Sequence, residues 1–166
     1  MATVDIRIAQ VCDVPVITSV LEEVAQWMSA SGRTLWSGAE ISAERILRDA
    51  SNGLFRIAFD GAQAAGVMKF ELEDAYFWPE VPEGTSGYVH KLAVRRAWAK
   101  QGVSTQLLSH AVDQARQFGR AHLRLDCVAD RQALRNLYEV FGFNLHSVVE
   151  IGRLSYARYE FEVTDR

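Results

Sequence analysis

The chain has 166 residues, a length that predicts one domain able to bury its own hydrophobic core. An apolar fraction of 49% and a charged fraction of 23% are ordinary for a globular protein, and they exclude a disordered, collagen-like or coiled-coil chain. The net charge of −3 and the short apolar runs argue against a nucleic-acid or membrane partner. The N-terminal residues do not read as a secretion signal, and the cysteines and histidines lack metal-ligand spacing. We therefore expect a cytoplasmic protein without a metal site.

The hydrophobic pattern predicts strands and helices within a single domain that spans residues 1–166. Alternation of apolar and polar side chains over residues 4–8 predicts a half-buried strand. Asp13 is expected to cap the helix that follows, with Pro15 in its first turn and Gly32 near its end.

The rest of the chain continues in the same way. Asp60-Gly61 is a strong two-residue turn signal and predicts a hairpin, whereas the proline-containing segment 74–87 predicts a loop. The remaining predicted elements are a helix capped by Ser42, strands at 54–59, 62–72 and 88–94, a helix at 102–118, a strand at 122–128, a helix capped by Asp130 and closed by Gly142, and strands at about 143–150 and 154–163. The order β-α-α-β-β-β-α-β-α-β-β predicts a mixed α/β sheet with the apolar strand 88–94 at its centre.

The first segment with chemical content joins strand 88–94 to the helix that begins near Gly102. The exposed N–H groups and positive dipole end of a helix favour an anion there. Arg95, Arg96 and Lys100 add positive charge in a chain that is acidic as a whole. The alternative is a solvated connection, and no dinucleotide or P-loop fingerprint is present.

The second segment is the predicted helix within residues 129–143. Its helical spacing places Tyr138 on the same stripe as Leu134 and Phe141. Taken alone, this pattern is also that of a core tyrosine, so both interpretations stay open.

Together, the segments YVHKLAV…AKQGVSTQLL and ADRQALRNLYEVFGF resemble the GNAT superfamily of acyl-CoA-dependent N-acyltransferases. The family's loop motif is Arg/Gln-x-x-Gly-x-Gly/Ala, and its later helix ends in Tyr-Glu…Gly-Phe. Gly102 is retained, whereas Ala99, Ser104 and Arg131 depart from the family pattern. The resemblance implies the GNAT fold, with a mostly antiparallel central sheet splayed at the coenzyme A site.

The resemblance also implies the cofactor and its contacts. Acetyl-CoA would be the co-substrate, its thioester and pantetheine arm facing backbone groups of Leu92, Ala93 and Val94. The pyrophosphate would lie on the loop 99–105, and Arg131 would contact the anionic cofactor. The loop residues expected to bind it are Ala99, Lys100, Gln101, Gly102, Val103, Ser104 and Thr105. A homodimer is common in this family.

The reaction implied is direct attack of a primary amine of a small molecule or peptide on the thioester. Tyr138 matches the family tyrosine that returns a proton to the departing thiolate. His90 is the candidate base, because HKLAV is similar to the corresponding strand of the serotonin N-acetyltransferases and an imidazole has a suitable pKa. Glu71 or Glu73 acting through water is an alternative, and so is a histidine that is simply bonded within the sheet.

The acceptor side is expected to be lined by Trp36, Glu71 and Trp78, an aromatic and acidic set that suits a cationic amine. The same residues could instead belong to a solvated loop over a hydrophobic core. Cys127 is expected to be a small buried strand residue rather than a nucleophile. A non-catalytic acyl-CoA-binding or sensing module is the alternative to an N-acetyltransferase.

Overall fold

The computed structural model describes residues 1–165, which form helices and strands in the predicted order. The helices are α1 (Val14–Ala30), α2 (Ala43–Ser51), α3 (Val103–Gln117) and α4 (Gln132–Phe141). The strands are β1 (Asp5–Ile8), β2 (Phe55–Asp60), β3 (Gln63–Glu71), β4 (Ser86–Val94), β5 (His122–Val128), β6 (Asn144–Ile151) and β7 (Leu154–Glu162). Among the described residues, no helix combines the length and the apolar character needed to cross a membrane.

The strands follow the order β1-β2-β3-β4-β5-β7-β6, which confirms the predicted mixed α/β sheet with β4 at its centre. Pairs β1–β2, β2–β3, β5–β7 and β6–β7 are antiparallel, whereas β4 and β5 are parallel. The β4–β5 register ends at Tyr88 opposite Arg124, although β4 continues to Val94 and β5 to Val128. This short ladder agrees with the expected splay of the sheet.

The chain folds as two compact units. The first unit comprises Met1–Phe70 and Lys91–His110, and the second comprises Glu71–His90 and the described residues from Ala111 onward. The core of the first unit packs α1 and α2 with β2 and β3, and its buried α1 residues are Ile17, Val20, Leu21, Val24 and Met28. A cluster of aromatic rings lies in the second unit, formed by Tyr138, Phe141, Phe143, Tyr159 and Phe161. The expectation of a single domain over 1–166 stays a prediction.

Asp13 precedes α1 as predicted, but its side chain does not cap the helix. Its carboxylate accepts hydrogen bonds from the Arg7 guanidinium at 2.9 and 3.0 Å and from the backbone N–H of Gln10 at 2.8 Å. The hydrogen bond from Arg7 outweighs burial and holds the pKa of Asp13 below its usual value. The charged partner on β1 therefore competes successfully with the helix for this carboxylate.

The start of α4 and the turn of the β2–β3 hairpin each lie one residue later than the sequence predicts. Arg131, not Asp130, is the residue before α4, and the Asp130 carboxylate forms an ion pair with the Arg131 guanidinium at 2.7 Å. In the β2–β3 hairpin Asp60 still pairs with Gln63, so Gly61 and Ala62 form the turn. Gly61 has a φ of +60°, the left-handed conformation that glycine adopts without steric cost.

Gly66 allows β3 to approach β4 more closely than any other residue would. A Cβ atom at this position would lie 2.8 Å from the carbonyl oxygen of Ala93 and 3.3 Å from the side chains of Val94 and Val103. An isolated glycine inside a strand pattern is the usual signal of such an approach. The packing of β3 therefore depends on a missing side chain next to the C-terminal half of β4.

We predict that Gly66→Ala lowers the free energy of unfolding by about 1–3 kcal/mol, because the added methyl group has no room beside a backbone carbonyl. Thermal unfolding followed by circular dichroism would measure the change. Gly38→Ala is the matched control, since nothing lies within 4 Å of its Cβ position. Equal melting temperatures for the two variants would contradict the packing argument.

Candidate active site

Three residues between the middle of β4 and the start of α3 have a left-handed backbone. Lys91 and Lys100 have φ values of +54° and +59°, which are uncommon for residues with a side chain, and Gly102 has a φ of +82°. Helix α3 starts immediately afterwards at Val103, and the first N–H groups of a helix have no partner within it. These N–H groups and the helix dipole provide a place for an anion at the start of α3.

The loop between β4 and α3 is anchored to helix α1 by one carboxylate. Glu23 accepts a hydrogen bond from the Arg95 guanidinium at 3.0 Å and another from the backbone N–H of Arg96 at 2.8 Å. The Arg96 guanidinium lies 3.6 Å from the centre of the Trp27 ring. Two of the three basic residues seen in the sequence therefore hold the loop, while Lys100 is exposed.

The remaining expected cofactor residues take different positions. Within β4, Ala93 is buried, and Leu92 and Val94 are half-buried. Arg131 belongs to the second unit, where its side chain is 13% exposed and paired with Asp130. The Asp130 carboxylate therefore neutralises part of the positive charge of the Arg131 guanidinium. A contact between Arg131 and the cofactor would be made in addition to this ion pair.

His90 lies in the second unit beside two carboxylates, Asp74 and Asp126. One ligating atom from each of the three side chains lies within 4.8 Å of the other two, a spacing that would also suit a metal ion. Within this group, His90 Nε2 lies 3.0 Å from Asp74 Oδ2. The Phe77 ring centre is 6.0 Å from that of His90. From the sequence, His90 is the candidate base and Asp74 is one of the acidic residues expected near the acceptor, whereas Asp126 has no predicted role.

Burial raises the pKa of Asp74, but the hydrogen bond and charge of His90 outweigh it and bring the pKa below its usual value. The backbone N–H groups of Phe77 and Tyr76 act in the same direction. Asp74 is therefore an ionised carboxylate at neutral pH, although its side chain is only 7% exposed.

Tyr138 is buried in α4, with its ring centre 6.0 Å from that of Phe143 and 5.9 Å from that of Tyr159. Burial raises the pKa of its phenol well above the usual value, so the hydroxyl stays protonated and can act as a donor. Burial also raises the pKa of the Cys127 thiol to about 12. Cys127 is therefore a poor nucleophile, because the thiolate is the reactive form.

The residues expected on the acceptor side differ in exposure. Trp36 is half-buried in the first unit, where the Lys91 ammonium lies 5.8 Å from its ring centre. Trp78 is 1% exposed in the second unit, with the guanidinium groups of Arg124 and Arg158 at 4.8 and 4.4 Å from its ring centre.

Two acidic residues of the loop before β4 are already paired. Glu73 forms an ion pair with Arg120 at 3.1 Å, and Glu80 forms one with Arg158 at 2.7 Å. Glu71, at the end of β3, is half-buried, and it is not without an interaction partner. The negative charge that the sequence suggests for this loop is therefore partly balanced by nearby arginines.

Comparison with known proteins yields both a family match and structural similarity. A family model described as the acetyltransferase (GNAT) family matches residues 21–143. An uncharacterized N-acetyltransferase of Bacillus subtilis, YesJ, is 29% identical over 160 residues, which are 92% of this chain and 86% of the relative.

Two solved structures share the fold. The GNAT-family acetyltransferase of Listeria monocytogenes superposes with a TM-score of 0.82 at 22% identity, covering 98% of both chains. The protein yncA of Salmonella typhimurium, determined with its cofactor acetyl-CoA, superposes with a TM-score of 0.73 at 16% identity, covering 99% of this chain and 96% of its own.

Proposed function

Since the chain belongs to the acetyltransferase (GNAT) family, we propose that it transfers the acetyl group of acetyl-CoA to a primary amine of a small molecule or peptide. The observation that best supports this proposal is the left-handed Gly102 directly before α3, in a loop anchored by Glu23. Such a loop suits the pyrophosphate of coenzyme A, because backbone N–H groups bind phosphate without any particular side chain.

In this proposal the loop residues from Ala99 to Thr105 bind the pyrophosphate. Backbone binding makes the departures at Ala99 and Ser104 tolerable, since those side chains need not contact phosphate. The backbone groups of Leu92, Ala93 and Val94 face the pantetheine arm and the thioester. Arg131 adds positive charge for the cofactor, and the acetyl-CoA bound to yncA supports the choice of co-substrate.

The proposed reaction is a direct transfer with two proton movements. The amine nitrogen forms a bond to the thioester carbon while the carbon–sulfur bond breaks. His90 accepts the proton that the amine loses, or Glu71 or Glu73 does so through water, and Tyr138 donates a proton to the coenzyme A thiolate. No acetyl-enzyme is needed, which agrees with the raised pKa of Cys127.

The cellular setting belongs to the same proposal. Both cysteines are free thiols, Cys12 exposed and Cys127 buried, and this fits a reducing cytoplasm. A homodimer, common among enzymes of this family, stays a prediction.

The acceptor is proposed to be a cationic or aromatic amine, and Trp36, Glu71 and Trp78 are the residues expected to receive it. We predict that polyamines, arylalkylamines or N-terminal peptides are acetylated faster than neutral or acidic amines, because an aromatic and acidic surface attracts cations. Release of free coenzyme A across such a panel measures the preference. Turnover of acidic acceptors alone would contradict this assignment.

We predict that Gly102→Ala weakens coenzyme A binding about 10-fold or more, because a side chain at a φ of +82° strains the loop backbone. The added Cβ would also lie 2.5 Å from the Met1 methyl group. Isothermal titration calorimetry gives the dissociation constant. Gly119→Ala is the matched control, since it has a φ of +68° at the other end of α3 and open space around its Cβ. Equal affinities of the two variants would remove the loop from the cofactor site.

Tyr138→Phe is expected to lower kcat by about 100-fold or more, typical of the loss of a general acid, with little change in coenzyme A affinity. The substitution keeps the ring within the aromatic cluster and deletes only the hydroxyl. Tyr159→Phe is the control, because it removes a hydroxyl bonded to Arg135 and Glu139 and should cost stability rather than kcat. A folded Tyr138→Phe protein with full kcat would make Tyr138 a core residue only.

A further inference from the structure

The carboxylate of Asp74 is built into a turn and has one oxygen left for His90. Its Oδ1 accepts hydrogen bonds from the backbone N–H groups of Tyr76 and Phe77 at 3.2 and 3.0 Å. Its Oδ2 lies 3.0 Å from His90 Nε2, and the two side chains are 7% and 17% exposed. The turn therefore holds Asp74 in place, and the contact with the imidazole is made away from bulk water.

This contact has a consequence for the protonation of His90. A carboxylate only accepts hydrogen bonds, and Asp74 is ionised because its pKa is lowered. An unprotonated nitrogen 3.0 Å from this ionised oxygen would be repelled by it, so the contact favours a proton on Nε2 and the lone pair on Nδ1. Asp126 adds a second carboxylate within 4.8 Å and increases the negative charge around the ring.

We propose that Asp74 is a positioning residue, which holds His90 with its proton on Nε2 and leaves Nδ1 to accept the proton of the acceptor amine. The inference rests on the proposed function, in which His90 is the base. When Nδ1 takes the amine proton, the ring becomes an imidazolium whose positive charge lies beside the Asp74 carboxylate. The proton is then lost from Nδ1 to solvent, which restores the starting state.

Asp74→Asn tests the proposal with a minimal change. The amide oxygen can still accept the two backbone hydrogen bonds of the turn, whereas the amide NH₂ is a donor and cannot accept a hydrogen bond from Nε2–H. Long-range ¹H–¹⁵N spectra of the imidazoles report the tautomer, and His90 is assigned by comparison with His90→Gln. Glu150→Gln, on the exposed part of β6, is the control for loss of one negative charge.

We expect a single Nε2–H tautomer for His90 in the parent protein and in Glu150→Gln, and loss of that preference in Asp74→Asn. An Nδ1–H tautomer in the parent protein, or an unchanged tautomer in Asp74→Asn, would overturn the proposal. The spectra are recorded with and without EDTA. A change on adding EDTA would show that a metal ion, rather than Asp74, holds the ring, and would likewise overturn it.

The kinetic arm asks whether Asp74 acts through His90. Asp74→Asn should lower kcat about 10- to 100-fold with the KM for acetyl-CoA unchanged, and it should cause no further loss in a His90→Gln background. Equal losses in both backgrounds would indicate a structural role and overturn the proposal. A His90→Gln protein with full kcat would overturn the assignment of Nδ1 as the base.

Failure of the proposed function has a different signature. A protein that binds acetyl-CoA but acetylates no amine would contradict that function, while the spectra would still decide whether Asp74 holds the tautomer of His90.

Discussion

The two hydrogen bonds accepted by Glu23 determine where the chain goes after strand β4. One comes from the Arg95 side chain and the other from the backbone N–H of Arg96. A single carboxylate on α1 therefore fixes the position of the Arg95 side chain and of the loop backbone at Arg96. An exposed ion pair contributes little stability by itself, but a bond to the backbone also fixes direction. The left-handed residues Lys100 and Gly102 then follow, and α3 starts at Val103, where the first N–H groups have no partner within the helix.

The protonation states of the candidate site residues depend on burial as much as on residue type. Tyr138 and Cys127 are both kept protonated by burial, which suits a proton donor and argues against a thiol nucleophile. Asp74 is also buried, yet it stays ionised because His90 and two backbone N–H groups compensate for the lost water. Burial therefore keeps the Tyr138 phenol protonated, whereas the contacts of Asp74 keep its carboxylate charged.

Periodicity and turn chemistry predicted most of the elements, because α1 and β4 each have one clear pattern of apolar residues. The bounds of β5, His122–Val128, coincide with the predicted strand. Asp13 and Asp130 were wrong as helix caps, since Arg7 and Arg131 supply charged partners that a local capping rule does not weigh.

The candidate site was predictable only in part, for a related reason. His90 and Tyr138 could be named from motifs, but the contact between Asp74 and His90 joins a loop to a strand and has no local sequence pattern. Lys91 was not recognised as a left-handed residue, because such a conformation is common only for glycine, asparagine and aspartate. Gly66 did carry a signal, as a lone glycine within a strand. The structure gives the reason, because a side chain there would clash with the carbonyl oxygen of Ala93.

The proposed reaction moves an acetyl group directly from acetyl-CoA to an amine. The most direct test is mass spectrometry of one reaction mixture, which quantifies acetylated amine, free coenzyme A and acetylated protein over a single turnover. Direct transfer would give equal amounts of acetylated amine and coenzyme A, with Cys127 unmodified throughout. Bound but unconsumed acetyl-CoA would indicate a sensing module, and an acetyl group on Cys127 that precedes the product would contradict direct transfer.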